Sequence, residues 1–294
     1  EWLVFLDADD TVDRRYLSVM LAAAQRDPGV EAVCCGYLRL TADGVEAVRY
    51  MAPRLDHDPL AQLADRCAAV IHAIMVRRSP VTAVGGFDTG LATNEDWDLW
   101  LRLARAGMRF AVVSQCLAYY WNSPTSLTKA GVQMLKDSAT VRARAQDSGR
   151  PADAEAVDAE AFAALLWNVG AAIGAGRSWA EFSEAVDPTR PLPDDKDHLV
   201  AGLFEGLMLG AQQPYRTLIH AWDDFAVDLS AFLDALDNRL GTPGYGYSLL
   251  KAVERNVIRA GRFGGMLVLT ATAGATLSPR VLIDGIECPE DDVD

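Results

Sequence analysis

The chain has 294 residues, 50% hydrophobic and 23% charged, a globular composition that excludes a disordered chain and leaves room for one large domain or two. Its 41 acids outnumber 27 bases, for a formal net charge of −14, which weighs against a nucleic-acid partner or an anionic membrane surface, since both need clustered cations. Cys34, Cys35, Cys67, Cys116 and Cys288 form no C-x-x-C pair and, beside only 4 histidines, read as free thiols in a reducing compartment.

Residues 3–6 predict a strand. The run carries no charge, as strands covered on both edges inside a parallel sheet do. With no Met before it, the run implies that the protein extends further upstream. A helix is expected over 14–25, with Tyr16, Leu17, Met20, Leu21 and Ala24 on one face, and a strand over 32–40. Residues 60–64 read as helical, 69–76 as a strand, 95–106 as a helix stopped by Gly107, and 110–113 as a short strand. Alternation of this kind predicts an α/β layer structure. Beyond about 129 helices dominate: 132–146, 153–175, 195–212, 215–240 and 248–259. Ser178-Trp179-Ala180-Glu181 has the form of a capping box. Short strands are expected at 268–272 and 281–283, and the tail from Asp284 holds six acids and no base. No apolar run reaches the roughly 18 residues that a membrane span needs.

Two acidic motifs carry the chemistry. Asp7-Ala8-Asp9-Asp10 follows the first strand, and ligands of open α/β sheets bind outside the carboxyl ends of strands. Asp7 and Asp9 are two apart, so on an extended backbone both point to one side. Hard oxygen donors suit Mg²⁺ or Mn²⁺. The same residues, within Phe5-Leu6-Asp7-Ala8-Asp9-Asp10-Thr11-Val12, also fit the phosphatase motif of the haloacid dehalogenase superfamily, with Asp7 as nucleophile. That chemistry requires a lysine ahead of a later acidic motif. The lysines, Lys129, Lys136, Lys196 and Lys251, all lie beyond the second motif.

The second motif is Gly85-Gly86-Phe87-Asp88 followed by Glu95-Asp96-Trp97-Asp98-Leu99-Trp100-Leu101-Arg102. Paired glycines permit a tight ligand loop. Glu95 and Asp96 fall at a helix start, where the helix dipole favours carboxylates. They either cap the helix or serve as a general base. Asp98 and Arg102 are spaced to pair along the helix. His72 is either a core histidine or an acceptor contact. Arg77-Arg78 serve either an anion or the surface.

Together with Ile74-Met75-Val76-Arg77-Arg78, the two motifs make residues 1–128 resemble family 2 glycosyltransferases of the GT-A fold. The resemblance implies an α/β fold class: the C-terminal part of a GT-A (Rossmann-like) nucleotide-sugar domain over 1–128, its upstream nucleotide-binding half missing, then a mostly helical region over 129–294. It implies transfer of a sugar, with inversion, from a nucleotide-diphosphate sugar to a hydroxyl of a glycan, lipid or protein. Asp7 and Asp9 would hold Mg²⁺ or Mn²⁺. Asp10, Gly85 and Gly86 would meet the donor. Asp96 would be the catalytic base, supported by Glu95, with Trp97 and His72 toward the acceptor. Many members carry Arg and His after the last strand; here Tyr119-Tyr120-Trp121-Asn122 has neither. The setting expected is cytoplasmic, peripheral at the inner face of the membrane. The phosphatase, and a non-catalytic domain that only binds partners, stand as alternatives.

Overall fold

The computed structural model describes residues 1–122, 131–146, 154–186, 192–193, 196–212, 221–263, 266–271, 277–283 and 286–287. The acidic tail beyond 287, Cys288, Tyr215, His220 and the start of the helix expected at 215 lie outside the described residues. The chain divides into two compact units. The first comprises Glu1–Leu40, Arg49–Trp121 and Gln133–Val157, and the second Thr41–Val48, Asn122–Val132 and Asp158–Asp294.

The first unit is organised around strand β3, Ala32–Leu40. Its residues 32–37 are buried in succession, because both faces and both edges are covered. Strand β6, Phe110–Trp121, runs parallel to it, from Ala32 opposite Phe110 to Leu40 opposite Trp121. Strand β4, Glu46–Tyr50, follows β3 in the chain, and strand β5, Ile74–Arg77, runs antiparallel to β3 on the side away from β6. Strand β1, Trp2–Val4, pairs antiparallel with β5. Strand β2, Thr11–Val12, pairs antiparallel with β6. Helix α1, Tyr16–Arg26, buries Tyr16, Met20, Ala23 and Ala24 in the core, whereas Leu17 of the expected face is exposed. Helix α2, Pro59–Asp65, is capped by Asp58, whose carboxylate accepts from the Ala61 N–H. Helix α3 is Arg78–Ala83 and helix α4 is Glu95–Arg105. Gly107, at φ +82°, ends α4 as its position suggests.

Four local expectations need correction. Strand β1 is antiparallel and partly exposed, with β5 as its strand neighbour among the described residues. The apolar run 69–76 is not one strand: a 3₁₀ turn, Ile71–Ala73, precedes β5, so His72 sits on a turn. The strand expected at 110–113 continues to Trp121, since pairing to β3 and β2 outweighs the polar Ser114 and Gln115. Asp7-Ala8-Asp9-Asp10 is not extended: the Asp10 N–H donates to the Asp7 carbonyl at 3.1 Å, closing a turn. The period-of-two argument for Asp7 and Asp9 therefore does not apply.

Helix α5, Gly131–Gln146, belongs to the first unit from Gln133 on; the second unit carries most of α6, Ala154–Gly174, then α7, Ala180–Ala185, and α8, Lys196–Ala211. Helices α9, Trp222–Leu240, and α10, Tyr245–Phe263, complete the helical part. Helices α6 and α8 approach backbone to backbone: a Cβ on Gly170 or Gly174 would collide with the Leu203 or Leu207 carbonyl. Trp179 packs edge-on against Phe232 at 5.8 Å. The capping box is not formed; Trp179 is the N-cap residue of α7, and Ser178 Oγ accepts from Ala180 N–H at 3.3 Å. Strands β7, Met266–Ala271, β8, Leu277–Ile283, and β9, Ile286–Glu287, pair in an antiparallel meander.

Gly36 sits where the β3–β6 register shifts. A Cβ there would lie 2.7 Å from the Tyr50 carbonyl oxygen and 2.8 Å from Cys116 Sγ. Gly36→Ala is expected to destabilise the protein by about 1–3 kcal/mol, the usual range for overpacking, read as a lower urea midpoint.

Candidate active site

The turn after β1 brings three carboxylates together. Asp7 and Asp9 are exposed, and Asp10 is buried. Asp10 Oδ1 accepts from the Trp121 N–H at 2.8 Å, which ties the turn to the end of β6. Its Oδ2 faces Nδ1 of the fully buried His72 at 3.3 Å. Burial pushes the Asp10 carboxyl up to about 7, against the pull of the Trp121 N–H, with repulsion from Asp9 and Asp7 adding to the rise and Arg39 opposing it. Burial lowers His72 to about 4, so the imidazole is neutral near pH 7. Asp7 is raised by burial and by Asp9.

The second motif meets the first here. Asp96, in the first turn of α4, is partly buried and its Oδ1 accepts from the Trp97 N–H at 2.7 Å. Burial, then repulsion from Glu95, then from Asp7, pushes its carboxyl up to about 7. Carboxylates distant in sequence therefore act on one another across one site. A carboxyl poised near 7 has the titration expected of a general base.

Gly85 and Gly86 hold φ of +85° and +72° directly after α3. Their N–H groups donate to the Thr82 and Val81 carbonyls at 3.1 and 3.0 Å. A Cβ on either would meet nothing within 4 Å, so glycine is required here by conformation and not by crowding. Phe87 packs edge-on against Phe5 at 4.8 Å, just ahead of the acidic turn.

Trp97, expected at the acceptor, is a core residue instead. Its ring is buried, its Nε1 donates to the Leu63 carbonyl at 2.6 Å, and the Arg142 guanidinium stands 5.3 Å from the ring. Tucked between α2 and α5, it has no surface left for a substrate. His72 is likewise fully enclosed. Arg77 and Arg78 face away from both motifs: Arg77 covers the Trp2 ring at 4.7 Å and donates to the Val30 carbonyl at 3.3 Å, and Arg78 lies 3.9 Å from Glu1.

Several residues at the site were not singled out by sequence. Arg39 of β3 covers Tyr120 at 4.8 Å and Tyr50 at 5.8 Å, and its charge is felt at Asp10. A lone charge inside an otherwise apolar strand was its visible signal. Arg144 of α5 binds Asp98 at 2.7 Å and Asp88 at 2.8 Å. Asp98 also takes Arg102 Nε at 2.7 Å, the expected pair along the helix, and Arg102 donates to the Val84 and Gly86 carbonyls at 2.9 and 2.7 Å. The glycine loop, α4 and α5 thus converge on one fully buried carboxylate. Asp98→Ala is expected to destabilise the fold by about 3 kcal/mol, the low end for one partner lost from a buried ion pair, because both guanidinium groups are partly exposed. Thermal unfolding of the variant checks this.

Among the described residues no three His, Cys, Asp or Glu side chains are gathered as a ready metal-binding group. No described helix is long and apolar enough to cross a membrane.

The chain is similar over its whole length to S. aureus TarS residues 1–349, in a solved structure, at 13% identity, a TM-score of 0.32 and 75% coverage of that chain. No curated protein matches it. The model of glycosyl transferase family group 2 matches residues 2–144, which include the acidic turn, the glycine loop, the Glu95-Asp96 helix and the Arg144 anchor. Residues 2–144, just under half of the chain, match as a family 2 glycosyltransferase domain.

Proposed function

We propose that this glycosyltransferase inverts the donor sugar in a single displacement, with Asp96 as the general base and Asp7 and Asp9 as the metal-binding pair. The reading rests on one observation above the others: the Asp7 charge raises the Asp96 carboxyl, although the two belong to different motifs. The Asp96 carboxylate takes the proton of an acceptor hydroxyl. The freed oxygen attacks the anomeric carbon, and the bond from that carbon to the diphosphate breaks. The nucleoside diphosphate leaves with the bonding electron pair. Burial, and then repulsion from Glu95, keeps the Asp96 carboxyl high, so that proton uptake is favourable near neutrality.

The donor set fits a divalent ion. Exposed, mutually repelling carboxylates at Asp7 and Asp9 are hard oxygen ligands, with diphosphate oxygens available to complete the shell. Mg²⁺ or Mn²⁺ there would supply charge to the departing diphosphate. Asp10, Gly85 and Gly86 line the donor side in this reading, and the acceptor is a hydroxyl of a glycan, lipid or protein. Cys34, Cys35 and Cys67 are free thiols, in keeping with a reducing, cytoplasmic setting.

Asp96→Asn is expected to lower kcat by about 10²–10⁴-fold, the usual worth of a general base, while donor binding measured by calorimetry stays near wild type. Asp9→Asn is expected to abolish metal-dependent donor binding; unchanged binding in that variant would remove the metal assignment. The base must be ionised to act, so activity falls as pH drops through its acid limb. The Asp96 carboxyl is pushed up to about 7 without metal, and the limb is expected below that once a divalent ion offsets the Asp7 charge. A rate–pH profile flat from pH 5 to pH 8, taken over roughly the range where such a carboxyl titrates, would contradict Asp96 as the base.

A further inference from the structure

One buried carboxylate of the first unit has no part in the chemistry above or in the Asp98 cluster. Asp137 lies on α5. Its Oδ2 accepts from the Thr93 N–H at 2.9 Å, the Ala92 N–H at 3.2 Å and the Thr93 hydroxyl at 2.9 Å. Its Oδ1 accepts from Gln133 Nε2 at 2.9 Å. These donors immediately precede the residues that carry the proposed base.

Asn94, between them and Glu95, holds φ of +58°. That left-handed conformation is unfavourable for a residue with a Cβ and persists where the surroundings impose it. The Asn94 side chain does not cap α4. Its Nδ2 donates instead to the Met134 carbonyl and to Ser138 Oγ, both at 3.2 Å. Residues 92–94 are thus held by one face of α5, and the Asp98 N–H then donates to the Asn94 carbonyl at 3.0 Å to open the helix. The start of α4, and with it the direction of its first turn, is set by bonds to α5.

We infer that Asp137 is a positioning residue for sugar transfer: by holding Ala92, Thr93 and Asn94 it fixes where α4 begins and so where the Asp96 carboxylate stands. The inference rests on the assignment of Asp96 as base. The action is through hydrogen bonds. An Asn at 137 keeps an oxygen for the three donors, and the Gln133 amide can turn to present its own oxygen to the new NH₂ group. An Ala keeps neither.

The test uses the intact protein and the variants Asp137→Ala, Asp137→Asn, Thr93→Val and Asp96→Asn. Release of nucleoside diphosphate is followed from UDP-glucose, UDP-N-acetylglucosamine and GDP-mannose, and amide hydrogen exchange is followed without ligand. Asp137→Ala is expected to lower kcat by about 10–100-fold with the donor KM within about threefold, as for a reacting group moved by a fraction of an ångström to an ångström. Its exchange should quicken at Ala92, Thr93 and the first turn of α4 and stay unchanged in β3. Asp137→Asn should restore most of kcat. Thr93→Val, which removes one of the bonds, should lower kcat by a smaller factor, and it serves if Asp137→Ala does not fold.

Wild-type kcat in Asp137→Ala would overturn the inference. So would equal damage in Asp137→Asn, or a rise in KM with faster exchange throughout the unit, which would mark Asp137 as a residue of the fold alone. If wild type turns over none of the three donors, exchange decides, and unchanged exchange at Ala92 and Thr93 in Asp137→Ala overturns it. Asp96→Asn separates the two assignments. Wild-type turnover in that variant removes the base, whereas an inactive Asp96→Asn beside a fully active Asp137→Ala removes only the positioning role.

Discussion

A carboxylate with no exposure to water must be paid for by opposite charge held close, and in this protein that carboxylate is Asp98. Its two oxygens take Arg102 and Arg144, at 2.7 Å each. Each arginine then reaches a second segment. Arg102 closes on the Val84 and Gly86 carbonyls, and Arg144 on Asp88. The glycine loop cannot shift without unpairing a buried ion, and neither can α5. A short acidic helix, an irregular loop and a helix from further along the chain become one rigid piece. A guanidinium suits this linkage because its nitrogens, fixed in one plane, can each reach a different acceptor, whereas a lysine would offer a point charge with no fixed plane.

Onto that piece the fold places groups that would drift apart in solution. Burial raises the cost of ionising Asp10 and Asp96, and repulsion adds to it, from Asp9 and Asp7 at Asp10 and from Glu95 and Asp7 at Asp96. Carboxylates held in this way cost the empty protein stability. Arg39, held on its tyrosines, opposes the rise at Asp10 from inside the sheet. Acidic residues near the site divide by surroundings. Asp98 is matched by cations and gives rigidity. Asp137 is matched by N–H and O–H donors and gives placement. Asp96 is pushed up by burial and then by repulsion from Glu95 and Asp7.

Much of this was legible without coordinates, because it is written at short range. The apolar run 32–40 is the central strand, and the stop at Gly107 is real. Glu95 and Asp96 open a helix, and Asp98 pairs with Arg102 one turn on, since helical periodicity alone brings those positions together. The two acidic motifs sufficed to suggest the family whose model matches residues 2–144.

What the tertiary structure decided depends on contacts between segments far apart in the chain. Strand β1 reads as a parallel strand by composition, yet pairing direction is set by its neighbour β5. The acidic turn is closed by its own backbone and held by the end of β6, so residue spacing could not say which carboxylates face together. Trp97 carries the aromatic signature of a substrate platform, but α2 and α5 enclose it. Asp137 and Arg144 look like ordinary polar positions of an amphipathic helix. Only the packing of α5 against the start of α4 turns them into the anchors of the site, because a buried polar group must find its partners wherever the fold has put them.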